Sequence, residues 1–143
     1  STQPLEEVEG KFDVVMAYQV LEHVEHPRLF ISHLTDRIRA GGILHLELPN
    51  HKSLTAKVRK ISPIFSQHYG FIQPPMHQRA YQRRTLQFIF NRLNMKTKQI
   101  AIYANNHSIW GQVRNWNMFQ HLLYFISGNL GMGSLLVGIA RKN

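Results

Sequence analysis

The sequence predicts an α/β layer fold, and three observations carry that expectation. A strand-length apolar run, Asp13 to Tyr18, is followed by a Pro-started helical pattern, a Gly-Gly pair and a second apolar run ending at Pro49. Strand-like and helix-like segments go on alternating downstream, as they do when helices pack on a sheet. At 143 residues and 43% hydrophobic, the chain is long enough for one domain with its own core.

Each element has a local reason. Residues 1–10 are polar and acidic and read as a connector. Pro27 suits the first turn of a helix, where a missing N–H costs little. Leu29, Phe30, Leu34 and Ile38 give that helix an apolar stripe, with Gly41 expected as its C-terminal stop. Ile43 to Leu48 reads as a strand closed by Pro49, which cannot continue a ladder.

Asn50 to Tyr81 is a long basic loop with one short helix around Leu54 to Ile61. Gln82 to Asn94 reads as a helix with Leu86, Ile89, Phe90 and Leu93 on one face, and Met95 to Ala104 as a strand. Ser108 is placed to cap a further helix, whose Trp110, Val113, Trp116, Phe119, Leu122, Leu123 and Ile126 recur at helical spacing and are expected to pack in the core, the alternatives being a membrane surface, a partner or the roof over an apolar acceptor. Ser134 to Arg141 is the last expected strand.

Composition narrows the function classes. There is no cysteine, which excludes a disulfide scaffold and thiolate metal sites. All eight acidic residues lie in the first 47 positions, beside four basic ones, whereas residues 48–143 hold 13 Lys or Arg and no acid. Such a segment attracts phosphates, whether of nucleic acid, lipid headgroups or a nucleotide-linked substrate. The plainer reading is that acids elsewhere in a longer polypeptide balance it. No nucleic-acid-binding signature accompanies the charge, so nucleic acid is not the expected partner.

The passage Phe12-Asp13-Val14-Val15, Val20-Leu21-Glu22-His23-Val24, Pro27, Gly41-Gly42 and Pro49-Asn50 resembles the second half of a class I S-adenosylmethionine-dependent methyltransferase. Its nearest likeness is to the subgroup that modifies small molecules, including saccharide, quinone and lipid precursors. Pro74-Pro75-Met76-His77, followed by Tyr81, is similar to a stretch that caps the acceptor in that subgroup. The resemblance implies a partial Rossmann-like sheet, strands four to seven of seven, with flanking helices and a helical insert. Residues 11–143 would be the C-terminal half of such a domain, with cap and insert segments at 51–81 and 105–133. The family's Gly-rich cofactor loop belongs upstream of this passage. The resemblance therefore implies that this chain alone binds S-adenosylmethionine weakly or not at all, and that its open sheet edge drives self-association.

Ligands of open α/β sheets bind beyond the carboxyl ends of the strands. Asp13, at the start of its strand, is thus structural. By the resemblance, Ala17, Tyr18, Gln19 and Glu22 border the cofactor, and Asn50, Arg79 and Tyr81 face the acceptor. His23 and His77 are the candidate bases for a hydroxyl acceptor, whereas a carbon or amine acceptor needs none. His23 can equally be an elbow residue that holds the turn.

Relatives that bind a divalent cation at this elbow use two Glu and a His. Gln19 stands where the first Glu would be, so no metal is expected. Gly128-Asn129-Leu130-Gly131-Met132-Gly133 has the wrong spacing for a dinucleotide loop and precedes a strand, so it reads as a turn. Residues 115–140 carry no Asp, Glu, Lys or Arg, yet Gln120, His121, Ser127, Asn129 and four glycines interrupt them, so a membrane span is not expected. The implied location is cytoplasmic, with the membrane periphery as an alternative. The competing function is a non-catalytic basic module that binds an anionic partner.

Overall fold

The computed structural model describes residues 4–61, 79–103 and 118–143. After a 3-10 turn at Leu5–Glu7, the elements are β1 (Phe12–Tyr18), α1 (Pro27–Asp36), β2 (Ile38–Pro49), α2 (Leu54–Ile61), α3 (Arg83–Arg92), β3 (Met95–Tyr103), α4 (Met118–Asn129) and β4 (Leu135–Lys142). The four strands form one sheet in the order β1-β2-β4-β3. β1 and β2 are parallel, and β4 is antiparallel to both β2 and β3.

The first helix ends earlier than its apolar stripe suggested. Ile38 lies four residues after Leu34 and so fits a helical face, but it is the first residue of β2 and pairs with Phe12. Gly41 is therefore not a helix stop. Between the pairs Phe12↔Ile38 and Val14↔Ile43, β1 advances two residues while β2 advances five, and Gly41 at φ +77° turns the extra backbone of this bulge. The end of α1 is instead held by cations: Lys142 Nζ donates to the carbonyls of Thr35 (2.7 Å) and Ile38 (3.0 Å), and Lys11 Nζ to that of Asp36. Cations there satisfy orphan carbonyls and complement the helix dipole.

One face of the sheet carries the core. Ala17, Leu44, Leu46, Leu48, Leu136 and Ala140 pack against Ile31 and Leu34 of α1 and Leu86 and Phe90 of α3. α3 comes close enough that a Cβ on Gly138 would lie 2.7 Å from Leu86 Cδ1 and 2.9 Å from Phe90 Cζ. Burial of Leu86 and Phe90 stabilises this contact by about 1.5–3 kcal/mol each.

The two outer strands differ in chemistry. β3 exposes Lys96 and Lys98 and has a register shift between Thr97 and Gln99, features that blunt an edge. β1 presents Phe12, Val14, Met16 and Tyr18 on its other face, each between 42% and 54% exposed. Its one charged residue, Asp13, pairs with Arg39 at 2.8 Å.

The later segments join the exit of β2. Asn50 N–H donates to the Ser134 carbonyl (2.7 Å) and Leu54 N–H to that of Met132 (2.9 Å). α2 packs against α4. The expected turn after the last helix is present, with Gly131 at φ +64°. Core packing does not hold for all of that helix: Leu122 and Ile126 are exposed, while Trp110, Val113 and Trp116 lie outside the described residues. Helical spacing reveals an apolar side, and it does not say what that side faces.

Candidate active site

Because β1 and β2 are parallel, both exits reach the same end of the sheet. β1 leaves the ladder at Gln19, whose N–H still donates to the Glu47 carbonyl at 2.9 Å. Gln19 then adopts φ +51°, an uncommon conformation for a side chain other than Gly or Asn. The reversal points Leu21 into the core, where it is fully buried, and a turn from Val20 O to His23 N (3.0 Å) follows. Glu22 is buried beside it. Its Oε1 lies 3.8 Å from Nε2 of His23, an imidazole that remains 40% exposed.

The second exit is pinned by Asn50. Its Nδ2 donates to the Gly133 carbonyl (2.8 Å), its Oδ1 accepts from Lys52 N–H (3.1 Å), and the residue is buried.

Residues Arg79 to Tyr81 join the two exits. Tyr81 forms a parallel bridge with Asn50, and its carbonyl accepts from His51 N–H at 2.9 Å. Its hydroxyl donates to the Leu21 carbonyl at 3.2 Å. Arg79 reaches the same elbow, with Nη2 donating to Glu25 O (2.7 Å) and Nε toward Val24 O (3.4 Å). Burial pushes the Tyr81 phenol up to about 12, against the Arg79 guanidinium, with Glu22 adding to the rise.

Thus seven of the candidate residues, Ala17, Tyr18, Gln19, Glu22, His23, Asn50 and Tyr81, cluster at one end of the sheet, with Arg79 bonded to the elbow. His77 lies outside the described residues. Ala17 is buried, its side chain forming part of the core. Tyr18 and Gln19 are exposed. The polar tips of Asn50, Arg79 and Tyr81 are engaged by backbone, which places them as supports of the two exits.

Two residues at this end had drawn no attention in the sequence. His45 meets Tyr18 edge-on, with ring centroids 5.2 Å apart and Tyr18 Oη 3.1 Å from its Nδ1. Only strand register brings them together, so no local signal exists. Ser53 caps α2, its Oγ accepting from Ala56 N–H at 3.1 Å. A Ser directly before a helical pattern was a legible signal for that. Among the described residues, no group of three His, Asp or Glu side chains is arranged to hold a metal ion.

The family described as "Methyltransferase domain" matches residues 2–100. The chain belongs to that family. No curated protein matches it. Solved structures agree on the fold of this methyltransferase-family chain. Magnesium protoporphyrin IX methyltransferase from Synechocystis, solved with bound S-adenosylhomocysteine, is 15% identical with a TM-score of 0.60, covering 100% of this chain and 50% of the other. A SAM-dependent methyltransferase from Archaeoglobus fulgidus is 19% identical with a TM-score of 0.57, covering 96% of this chain and 63% of the other. One from Thermotoga maritima is 12% identical with a TM-score of 0.61, covering 99% and 62%. The chain thus spans between half and two thirds of the length of these structures.

Proposed function

We propose that this chain forms the acceptor-side half of an S-adenosylmethionine-dependent methyltransferase domain acting on a small molecule, a saccharide, quinone or lipid precursor. The observation that carries the reading is the pair of adjacent parallel exits held together by Tyr81. It provides one wall of a cleft where ligands of such sheets bind. The neighbours solved with S-adenosylhomocysteine or named as SAM-dependent support the cofactor.

The residues present fit one side of that cofactor. Tyr18 and Gln19 form an exposed ledge at the exit of β1, above a buried and bonded elbow. S-adenosylmethionine supplies an electrophilic methyl group for in-line displacement. The chain's own contribution is to orient and to move a proton. A rigid elbow fixes the ledge relative to the acceptor, which is the positioning on which such a transfer depends. His23, 40% exposed at the elbow with its Nε2 3.8 Å from Glu22 Oε1, is the proposed base for a hydroxyl acceptor. His77 is its counterpart on the cap.

The four strands stand, in this proposal, for strands four to seven of a seven-stranded sheet. The contrast between edges supports it: the lysine-bearing β3 suits a sheet margin, whereas the apolar β1 suits an interior strand. Expressed alone, such a strand would pair with a second copy, which light scattering would detect.

Calorimetry with S-adenosylhomocysteine is the test, comparing residues 1–143 with the chain extended by the strands proposed to adjoin β1. Tight binding by the extended chain only is expected. An extended, folded chain that binds neither S-adenosylhomocysteine nor S-adenosylmethionine would overturn the reading.

A further inference from the structure

We propose that α2 and α4 together form a docking face for an anionic phospholipid surface. The first observation is an exposed apolar side of α4. Leu122 is 53% exposed, Phe125 70%, Ile126 38% and, just past the helix end, Leu130 64%. Spaced by three and four residues, they share one side of the helix. The amide of Asn129, on the same side, is turned back onto the helix, with Nδ2 donating to the Phe125 carbonyl at 3.1 Å. No Asp, Glu, Lys or Arg interrupts this surface, because residues 115–140 contain none.

The second observation is the charge of its neighbour. α2 packs against α4, and the Leu54 N–H bond to the Met132 carbonyl fixes the start of α2 to the turn that ends α4. α2 contains Lys57, Arg59 and Lys60 and no acid. Lys52 precedes it, and both Lys52 and Lys57 are exposed. Exposed apolar side chains on one helix and exposed lysines at and before the helix packed against it, in a stretch of sequence without acids, supply the two ingredients of an interfacial surface. The apolar groups enter the headgroup boundary, while the cations meet lipid phosphates with their stems lying along the interface. A neutral protein partner would leave the cations unmatched. A spanning segment is a different matter, and among the described residues no helix is long and apolar enough to cross a membrane.

The position adds a reason for the face to exist. α4 runs into the turn whose Gly133 carbonyl accepts from Asn50, so the docking surface adjoins the second exit of the candidate site. Docking does not depend on the methyl-transfer reading, since it requires neither cofactor nor acceptor.

The test is flotation of the protein with phosphatidylcholine vesicles, with and without phosphatidylglycerol. Two double variants accompany it, Leu122→Glu with Phe125→Glu, and Lys52→Glu with Lys57→Glu. Circular-dichroism melts confirm that each variant is folded. The native protein should float with the phosphatidylglycerol vesicles and at least about tenfold less with phosphatidylcholine alone, or in about 0.5 M salt, where surface charge is screened. Each folded variant should lose about tenfold in vesicle affinity. Absence of phosphatidylglycerol-dependent flotation overturns the proposal, as does unchanged flotation of the apolar variant. A lipid-free dimer in light scattering that the apolar variant converts to monomer also overturns it, because a second copy would then cover the face. Unaltered S-adenosylhomocysteine binding when the same substitutions are placed in the extended chain, alongside lost flotation, separates this outcome from a failure of the proposed function.

Discussion

The Tyr81 hydroxyl donates to the Leu21 carbonyl at 3.2 Å, and the two residues lie 60 positions apart in the chain. Tyr81 is bonded through its backbone to the exit of β2 and through its side chain to the elbow after β1. Two turns that would otherwise be independent loops are thereby set relative to one another.

Tyr81→Phe should keep the fold and leave the buried Leu21 carbonyl without this donor. A loss of about 1–2 kcal/mol in unfolding free energy is expected, read from urea titrations of both proteins.

The same phenol makes stability depend on alkaline pH. Its pKa is raised from 10.0 in the free side chain to about 12 in the folded state. Between those values the folded chain binds more protons than the unfolded one, so stability falls as pH rises through the window and is intact below it. Melting temperatures from pH 9 to 12 should fall more steeply for the native protein than for Tyr81→Phe. Equal slopes would show that the phenol is not protected.

In the chain extended by the strands proposed to adjoin β1, His23→Gln is expected to lower kcat for a hydroxyl acceptor by about 10²- to 10⁴-fold, in the range of a lost general base. S-adenosylhomocysteine affinity, measured by calorimetry, should stay unchanged. A parallel loss of affinity would instead assign His23 to holding the elbow.

Gly138→Ala should destabilise by overpacking, since the new Cβ would fall 2.7 Å from Leu86 Cδ1 and 2.9 Å from Phe90 Cζ in a filled core. About 1–3 kcal/mol is expected by chemical denaturation. Asp13→Asn is the contrasting case. Its ion pair with Arg39 at 2.8 Å has both side chains more than half exposed, so the change should be below about 1 kcal/mol.

Much of the fold was legible because it rests on local pattern. β1 and α3 fall almost where apolar periodicity put them, and the turn after α4 where glycine spacing did. The α1–β2 boundary was not, because Ile38 satisfies two periodicities at once and a Gly-Gly pair marks a bulge as readily as a helix end. At the site, strand exits were readable from the ends of apolar runs. The attachment of Arg79 and Tyr81 to the elbow was not, since hydrogen bonds across more than 50 residues leave no local trace. Nor could the sequence say that Leu122 and Ile126 point outward.

β4 is the last of the four strands to be synthesised, yet it lies between β2 and β3. Until it leaves the ribosome, a nascent chain holds one parallel pair and a separate strand with no hydrogen-bonded link between them. Stopping translation at Gly133 would therefore remove the seam of the sheet rather than trim its margin. The same delay leaves the final turn of α1 without Lys142, one of its two cationic anchors, until β4 has been made. Folding of this region is accordingly a late event, and a chaperone that shields β2 and β3 during that interval would matter more to its yield than one acting after release.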